Sequence, residues 1–185
     1  MRKATWIATL ILGGQAAVAQ VNNGTSTNSP PSAQSSARQE YFAQLDTFKK
    51  TARSSYSDEQ AREKVGDCPK AMTTYDMSTC LGAELQKTTA NYRAYTGALR
   101  SIEVLVPPGG APLSGASGAP LSSQESVKEF DAAEAAWQAY QKLQCSAAYD
   151  AYRGGTIAPI MQLTCHLKLV RDRMRELESI YDLMH

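Results

Sequence analysis

The chain has 185 residues, a formal net charge of +1, 43% hydrophobic and 20% charged residues. That balance fits one globular domain of ordinary composition and excludes a charge-driven disordered polymer. A nucleic-acid binder would show a strongly basic domain or stripe, and a near-neutral chain offers none.

Met1, Arg2 and Lys3 form a short basic start, and Ala4 to Gly14 follows as an apolar run. Ala17-Val18-Ala19 then supplies a small-x-small cleavage pattern, so residues 1–19 are predicted to be a signal peptide. The run is too short for a bilayer span, which needs about 20 residues, and no stable membrane insertion is expected after cleavage. The mature protein is expected in the periplasm or outside the cell.

Residues 20–36 carry almost no large apolar side chains and are predicted to be a disordered linker. An N-terminal helical segment is expected over 37–66. Tyr41, Phe42, Leu45 and Phe48 fall at helical spacing between Arg38 and Ala52. Ser57 with Gln60 suggests a second start by a capping box, and Gly66 is placed to end it.

Thr73, with Asp76 three residues on, reads as the cap of a long helix. Met77, Leu81, Leu85, Thr88, Tyr92, Tyr95, Leu99 and Ile102 recur at steps of four or three, carrying that helix to about Val104. Residues 107–120, rich in Gly, Pro, Ala and Ser, are predicted to be a flexible loop. Ser122 and Glu125 then form a capping box for a helix bearing Val127, Phe130, Ala133, Trp137 and Tyr140, running to roughly Tyr149. Gly154-Gly155 marks a turn. The last helix carries Ile160, Leu163, Leu167, Val170, Met174, Leu177 and Tyr181. No stretch alternates with period two, so no strand is expected. Three long amphipathic helices must bury their stripes against one another, giving an all-α antiparallel bundle over 67–183 to which the N-terminal helix is added.

Cys68, Cys80, Cys145 and Cys165 all lie in the exported part, and an even count there predicts two disulfides. Their spacings of 12, 65 and 20 lack the tight pairs of a zinc site, and no Cys-x-x-Cys redox motif exists. No metal or cofactor is expected. A Cys68–Cys80 bond is disfavoured, because a helix over 73–80 would demand a sharp fold-back. Cys80–Cys145 with Cys68–Cys165 is slightly favoured over Cys68–Cys145 with Cys80–Cys165, since Cys165 lies about 200° from the Leu163 and Leu167 seam.

The residues then match a known pattern. Cys68, Ala71, Thr73, Thr74, Asp76, Met77 and Cys80 form a first block, followed by Glu84 and by Asn91 with Tyr95. Trp137, Tyr140 and Cys145 form a second, Gly154-Gly155-Thr156 a turn, and Cys165 with Arg173 and Leu177 the last. In these blocks the chain resembles the LprI family of small exported bacterial proteins, some of which inhibit lysozyme. It departs from the family pattern at Gln141-Lys142, at Ala90 and at Val170.

The resemblance implies a binding protein whose partner is lysozyme or another wall-active glycoside hydrolase. Such hydrolases work with paired carboxylates in a cleft. A loop presenting a basic side chain could block that cleft, and Tyr152, Arg153, Gly154, Gly155 and Thr156 are the candidate contact. The alternative is a non-inhibitory secreted or periplasmic interaction protein. No catalytic constellation is legible: His166 stands alone, Asp76 and Glu84 read as capping or solvated acids, and no enzyme activity is expected. Lys168, Arg171 and Arg175 form a basic stripe, diluted by Glu176, Glu178 and Asp182, that reads as a solvated face.

Overall fold

The computed structural model describes residues 33–109, 113–114, 120–121 and 123–183. The expected signal peptide (1–19), most of the expected linker (20–32) and most of the Gly/Pro-rich loop lie outside the described residues. Among the described residues four helices carry the fold: α1 Ala33–Val65, α2 Thr74–Val104, α3 Ser123–Asp150 and α4 Ala158–Tyr181. α1 packs on α2, α2 on both α3 and α4, and α3 on α4. Short connections at 66–73 and 151–157 make α1–α2 and α3–α4 antiparallel hairpins, so the topology is up-down-up-down and all-α. One ladder of two-residue strands, Leu113–Ser114 against Pro120–Leu121, adds a pairing that the sequence pattern did not predict. It closes a loop between helices and is too short to form an independent sheet.

α1 departs most from expectation. It is a single helix of 33 residues that begins inside the segment read as linker and passes through Ser57 without a break. Nothing between Ala33 and Val65 is Gly or Pro, and Ala, Gln, Lys, Glu and Arg favour helix. Gly66, at φ +84°, ends it as a left-handed cap, its N–H donating to the Arg62 and Glu63 carbonyls. The predicted stripe of Tyr41, Phe42, Leu45 and Phe48 is not buried. The inward face is Ala52, Ser55, Tyr56 and Glu59, half of it polar, which hides it from a hydrophobic pattern.

α2 and α4 follow their predicted stripes. Thr73, in extended conformation, accepts the Asp76 N–H at 3.0 Å and starts α2 as expected. Tyr92, Tyr95, Ala98 and Leu99 of α2 meet Val170, Met174 and Leu177 of α4, with Ala52 and Tyr56 of α1, in the main core. A smaller cluster of Cys68, Leu81 and Leu167, flanked by Met77, Ile160 and Leu163, fills the end of the bundle where both hairpins turn. α3 is rotated from expectation. Ala133 and Tyr140 are exposed, and the inward line runs through Val127, Phe130, Glu134, Trp137, Gln141 and Cys145.

Candidate functional site

Both disulfides sit at the end where the hairpins turn, and their pairing corrects the sequence expectation. Cys68 bonds Cys80 and Cys145 bonds Cys165, with Cα separations of 5.9 and 5.5 Å. The disfavoured fold-back exists. Cys68 adopts φ +57°, its carbonyl accepts the Ala71 N–H at 3.1 Å, and Thr73 is extended. The chain thus runs back along the first turns of α2. Thr74 to Cys80 rises only about 9 Å, well within reach of the residues joining Cys68 to Thr74. Cys165 faces α3 while its neighbour Leu167 faces the Cys68–Leu81 cluster. Because α4 packs against two helices, its inward surface is wider than one seam, and a cysteine off the leucine line still points inward.

The Tyr152–Thr156 turn stands at the tip of the α3–α4 hairpin, on a base stapled by Cys145–Cys165. Every residue from Ala151 to Ile157 is exposed, Tyr152 at 45%. The backbone is held from within: Tyr152, Arg153 and Gly155 N–H groups donate to the Tyr149, Asp150 and Tyr152 carbonyls at 3.0–3.2 Å. Gly154 sits at φ +88°, a conformation other residues rarely adopt, and a Cβ on Gly155 would meet the Tyr152 carbonyl at 3.3 Å. Arg153 pairs with Asp150, three residues back, on an exposed surface where such a pair is weak and easily exchanged. Its guanidinium is held above its ordinary value by that hydrogen bond, and so is fully charged.

Across the same end lies an apolar groove of about 710 Å³ between the α1 terminus and the Cys68–Cys80 staple, floored by Ala61, Val65, Pro69 and Ala71. Met72 and Tyr75 stand exposed on the neighbouring turn.

The site rests on an internal ion network that the sequence did not reveal. Arg171, read as part of a solvated stripe, is 6% exposed. Its Nε donates to Glu59 at 2.8 Å, and its two terminal nitrogens grip Asp67 at 2.7 and 2.8 Å. Asp67 precedes Cys68, so this fork ties the α1–α2 turn to α4. The hydrogen bonds it donates to Asp67 and Glu59 outweigh burial and raise the Arg171 guanidinium above its ordinary value. Glu59 also accepts from Thr88 Oγ1 at 2.7 Å and Asn91 Nδ2 at 2.9 Å. Arg173 donates to Glu134 from two nitrogens, and Glu134 also accepts the Tyr92 hydroxyl. Tyr95 donates to Glu178 and Tyr181 to Glu103. A signal for this network existed in the polar spacing of Ser55, Glu59 and Glu63, but only tertiary packing distinguishes it from a solvated face.

The remaining predicted residues take structural places. Thr74 opens α2, Asp76 supplies the capped N–H, and Met77 packs on the small cluster. Trp137 packs on the main core with its ring 5.2 Å from that of Tyr92, while Tyr140 is exposed and Leu177 is buried. Glu84 accepts from Arg62 and Lys87. His166 is half-buried, which pushes its imidazole below the ordinary value. Among the described residues no cluster of His, Cys, Asp and Glu could hold a metal ion, and no helix is long and apolar enough to cross a membrane.

An uncharacterized protein of Rhizobium meliloti (strain 1021) is 29% identical over 129 residues, covering 66% of this chain and 84% of that one. No solved structure matches the chain. The family model described as lysozyme inhibitor LprI matches residues 66–177, from the glycine that ends α1 through both disulfides to the last core turn of α4. The chain therefore belongs to the LprI family of lysozyme inhibitors.

Proposed function

We propose that the protein is an exported inhibitor that holds a lysozyme, or another wall-active glycoside hydrolase, through the α3–α4 turn. Family membership supports an inhibitory role in general. The observation that carries the finer reading is the turn itself: an exposed, internally bonded loop on a disulfide base, with Arg153 as its cation. A loop already ordered before binding loses little conformational entropy on docking. A guanidinium is suited to bidentate engagement of a catalytic carboxylate. The Asp150 partner is exposed and can be exchanged for the target's acid.

The test titrates the oxidised protein into lysozymes of several classes, following wall lysis and, by calorimetry, complex formation. At least one class should be inhibited. Arg153→Ala should weaken that inhibition about tenfold or more while leaving the urea midpoint unchanged, because an exposed substitution moves stability by about 0.5 kcal/mol or less. No inhibition by excess protein and no complex would refute the function. Full inhibition by the Arg153→Ala protein would refute the turn.

A further inference from the structure

A second groove, about 440 Å³, opens between α2 and α3, beginning about one helical turn from Cys145. Thr89, Arg93, Trp137, Gln138, Gln141 and Lys142 line it, with the Tyr92 ring behind. Its electrostatics differ from those of the rest of the molecule. Elsewhere the arginines and lysines of α2 and α4 are mostly tied to carboxylates: Lys87 to Glu84, Arg100 to Asp131, Lys168 to Asp172, and Arg171, Arg173 and Arg175 to their own acids. Arg93 and Lys142 pair with no described residue. The cause is in the sequence: neither residues 85–102 of α2 nor residues 135–149 of α3 include a single Asp or Glu. Glu134, three residues before Trp137, is already committed to Arg173 and Tyr92.

The uncharged groups are equally unspent. The Trp137 indole N–H has no acceptor among the described residues, yet no buried donor is left unsatisfied there, so that N–H reaches solvent. Gln138 and Gln141 present amides with no partner among the described residues. The groove thus combines two free cations, amides that donate and accept, an indole N–H and an aromatic wall. We infer that the α2–α3 groove binds a carboxylate-bearing saccharide, its acid group held by Arg93 and Lys142 and its hydroxyls by the Gln138, Gln141 and Trp137 side chains.

A saccharide suits this surface better than an acidic peptide. Acidic peptides are held by clusters of arginines, and other peptides by an open sheet edge or a strongly apolar helical groove. Here the walls are helices whose backbone groups are internally bonded, the charge comes from one arginine and one lysine, and the lining is polar and apolar in nearly equal parts. A hydroxyl-rich ring needs what the groove offers: side-chain donors and acceptors beside an aromatic face, in a space of one or two sugar units. The inference is independent of the α3–α4 turn and stands whether or not lysozyme is inhibited.

The experiment uses the oxidised full chain and follows the indole 1H–15N resonance of Trp137, assigned with Trp137→Phe, during titration with trigalacturonate. Parallel titrations use neutral chitotriose and a tri-aspartate peptide. Trigalacturonate should shift the Trp137 resonance saturably with a Kd of about 1 mM or tighter. Arg93→Gln and Lys142→Gln, both at exposed positions, should each weaken binding roughly fivefold, and the double variant should abolish it. Chitotriose and the peptide should bind at least about tenfold more weakly. No saturable shift with trigalacturonate overturns the site, and undiminished binding by the double variant overturns the carboxylate contact. Binding of chitotriose or of the peptide as tight as that of trigalacturonate overturns the ligand class.

Discussion

Removing the buried guanidinium of Arg171 is the sharpest perturbation the fold offers. Arg171→Met keeps an unbranched apolar stem in place of the side chain but strands Glu59, which is 3% exposed, without its facing cation. Breaking a buried ion pair from one side costs about 3–5 kcal/mol, because the remaining charge stays desolvated. Glu59 keeps its bonds from Thr88 and Asn91, and Arg62 stands 3.9 Å away, so the low end, about 3 kcal/mol, is expected. With a urea slope of about 2 kcal/mol per molar, the unfolding midpoint should fall by about 1.5 M. Adding Glu59→Gln to the Met variant removes the stranded charge while keeping an acceptor for Thr88. It should recover about 2 kcal/mol of the loss. Urea unfolding of the four proteins of this cycle, disulfides intact, measures both numbers. A loss below about 1 kcal/mol for Arg171→Met, or a further loss on adding Glu59→Gln, would refute the reading of Arg171 as a buried charge held by Glu59.

The remaining predictions concern the tyrosines and the staples. Burial, helped by hydrogen bonds to Glu134, Glu178 and Glu103, raises the Tyr92, Tyr95 and Tyr181 phenols above their ordinary value of 10.0. The unfolded chain therefore releases these protons first. Their stabilisation is complete below about pH 10 and is lost as pH rises beyond it, so the urea midpoint should fall steeply there and less steeply in Tyr95→Phe. Equal slopes in the two proteins would contradict this. Non-reducing peptide mapping should return Cys68–Cys80 and Cys145–Cys165 and no crossed pair. Replacing Cys145 and Cys165 together by serine should lower stability by about 3 kcal/mol, judged from the loop the bond closes. A negligible change would show that the α3–α4 hairpin holds its base without the staple.

What was legible in the sequence was local. The Thr73 cap needs only a hydroxyl and the N–H three residues on, and the Met77–Ile102 and Ile160–Tyr181 stripes need only helical periodicity. Family membership was legible for the same reason, since its blocks are short and ordered along the chain. Ser57 and Gln60 mimic a capping box inside α1, and the inward face there, with Ser55 and Glu59, is polar and has no hydrophobic signature to show that the helix continues. The candidate turn was visible from its glycines, but its rigidity came from the pattern of backbone bonds around Tyr152.

The sequence by itself determined an all-α bundle, the ends of α2 and the four oxidised cysteines, because each depends on neighbours within a turn or two or on compartment. Only tertiary structure decided which cysteines pair and which charges are buried. The Cys68–Cys80 bond depends on a left-handed Cys68 that turns the chain back along its own helix, and periodicity carries no information about such a bend. Arg171 became a buried residue because α1 and the α1–α2 turn bring Glu59 and Asp67 to it from 112 and 104 residues away. A desolvated charge needs a partner, and across that distance only the packing of helices can supply one.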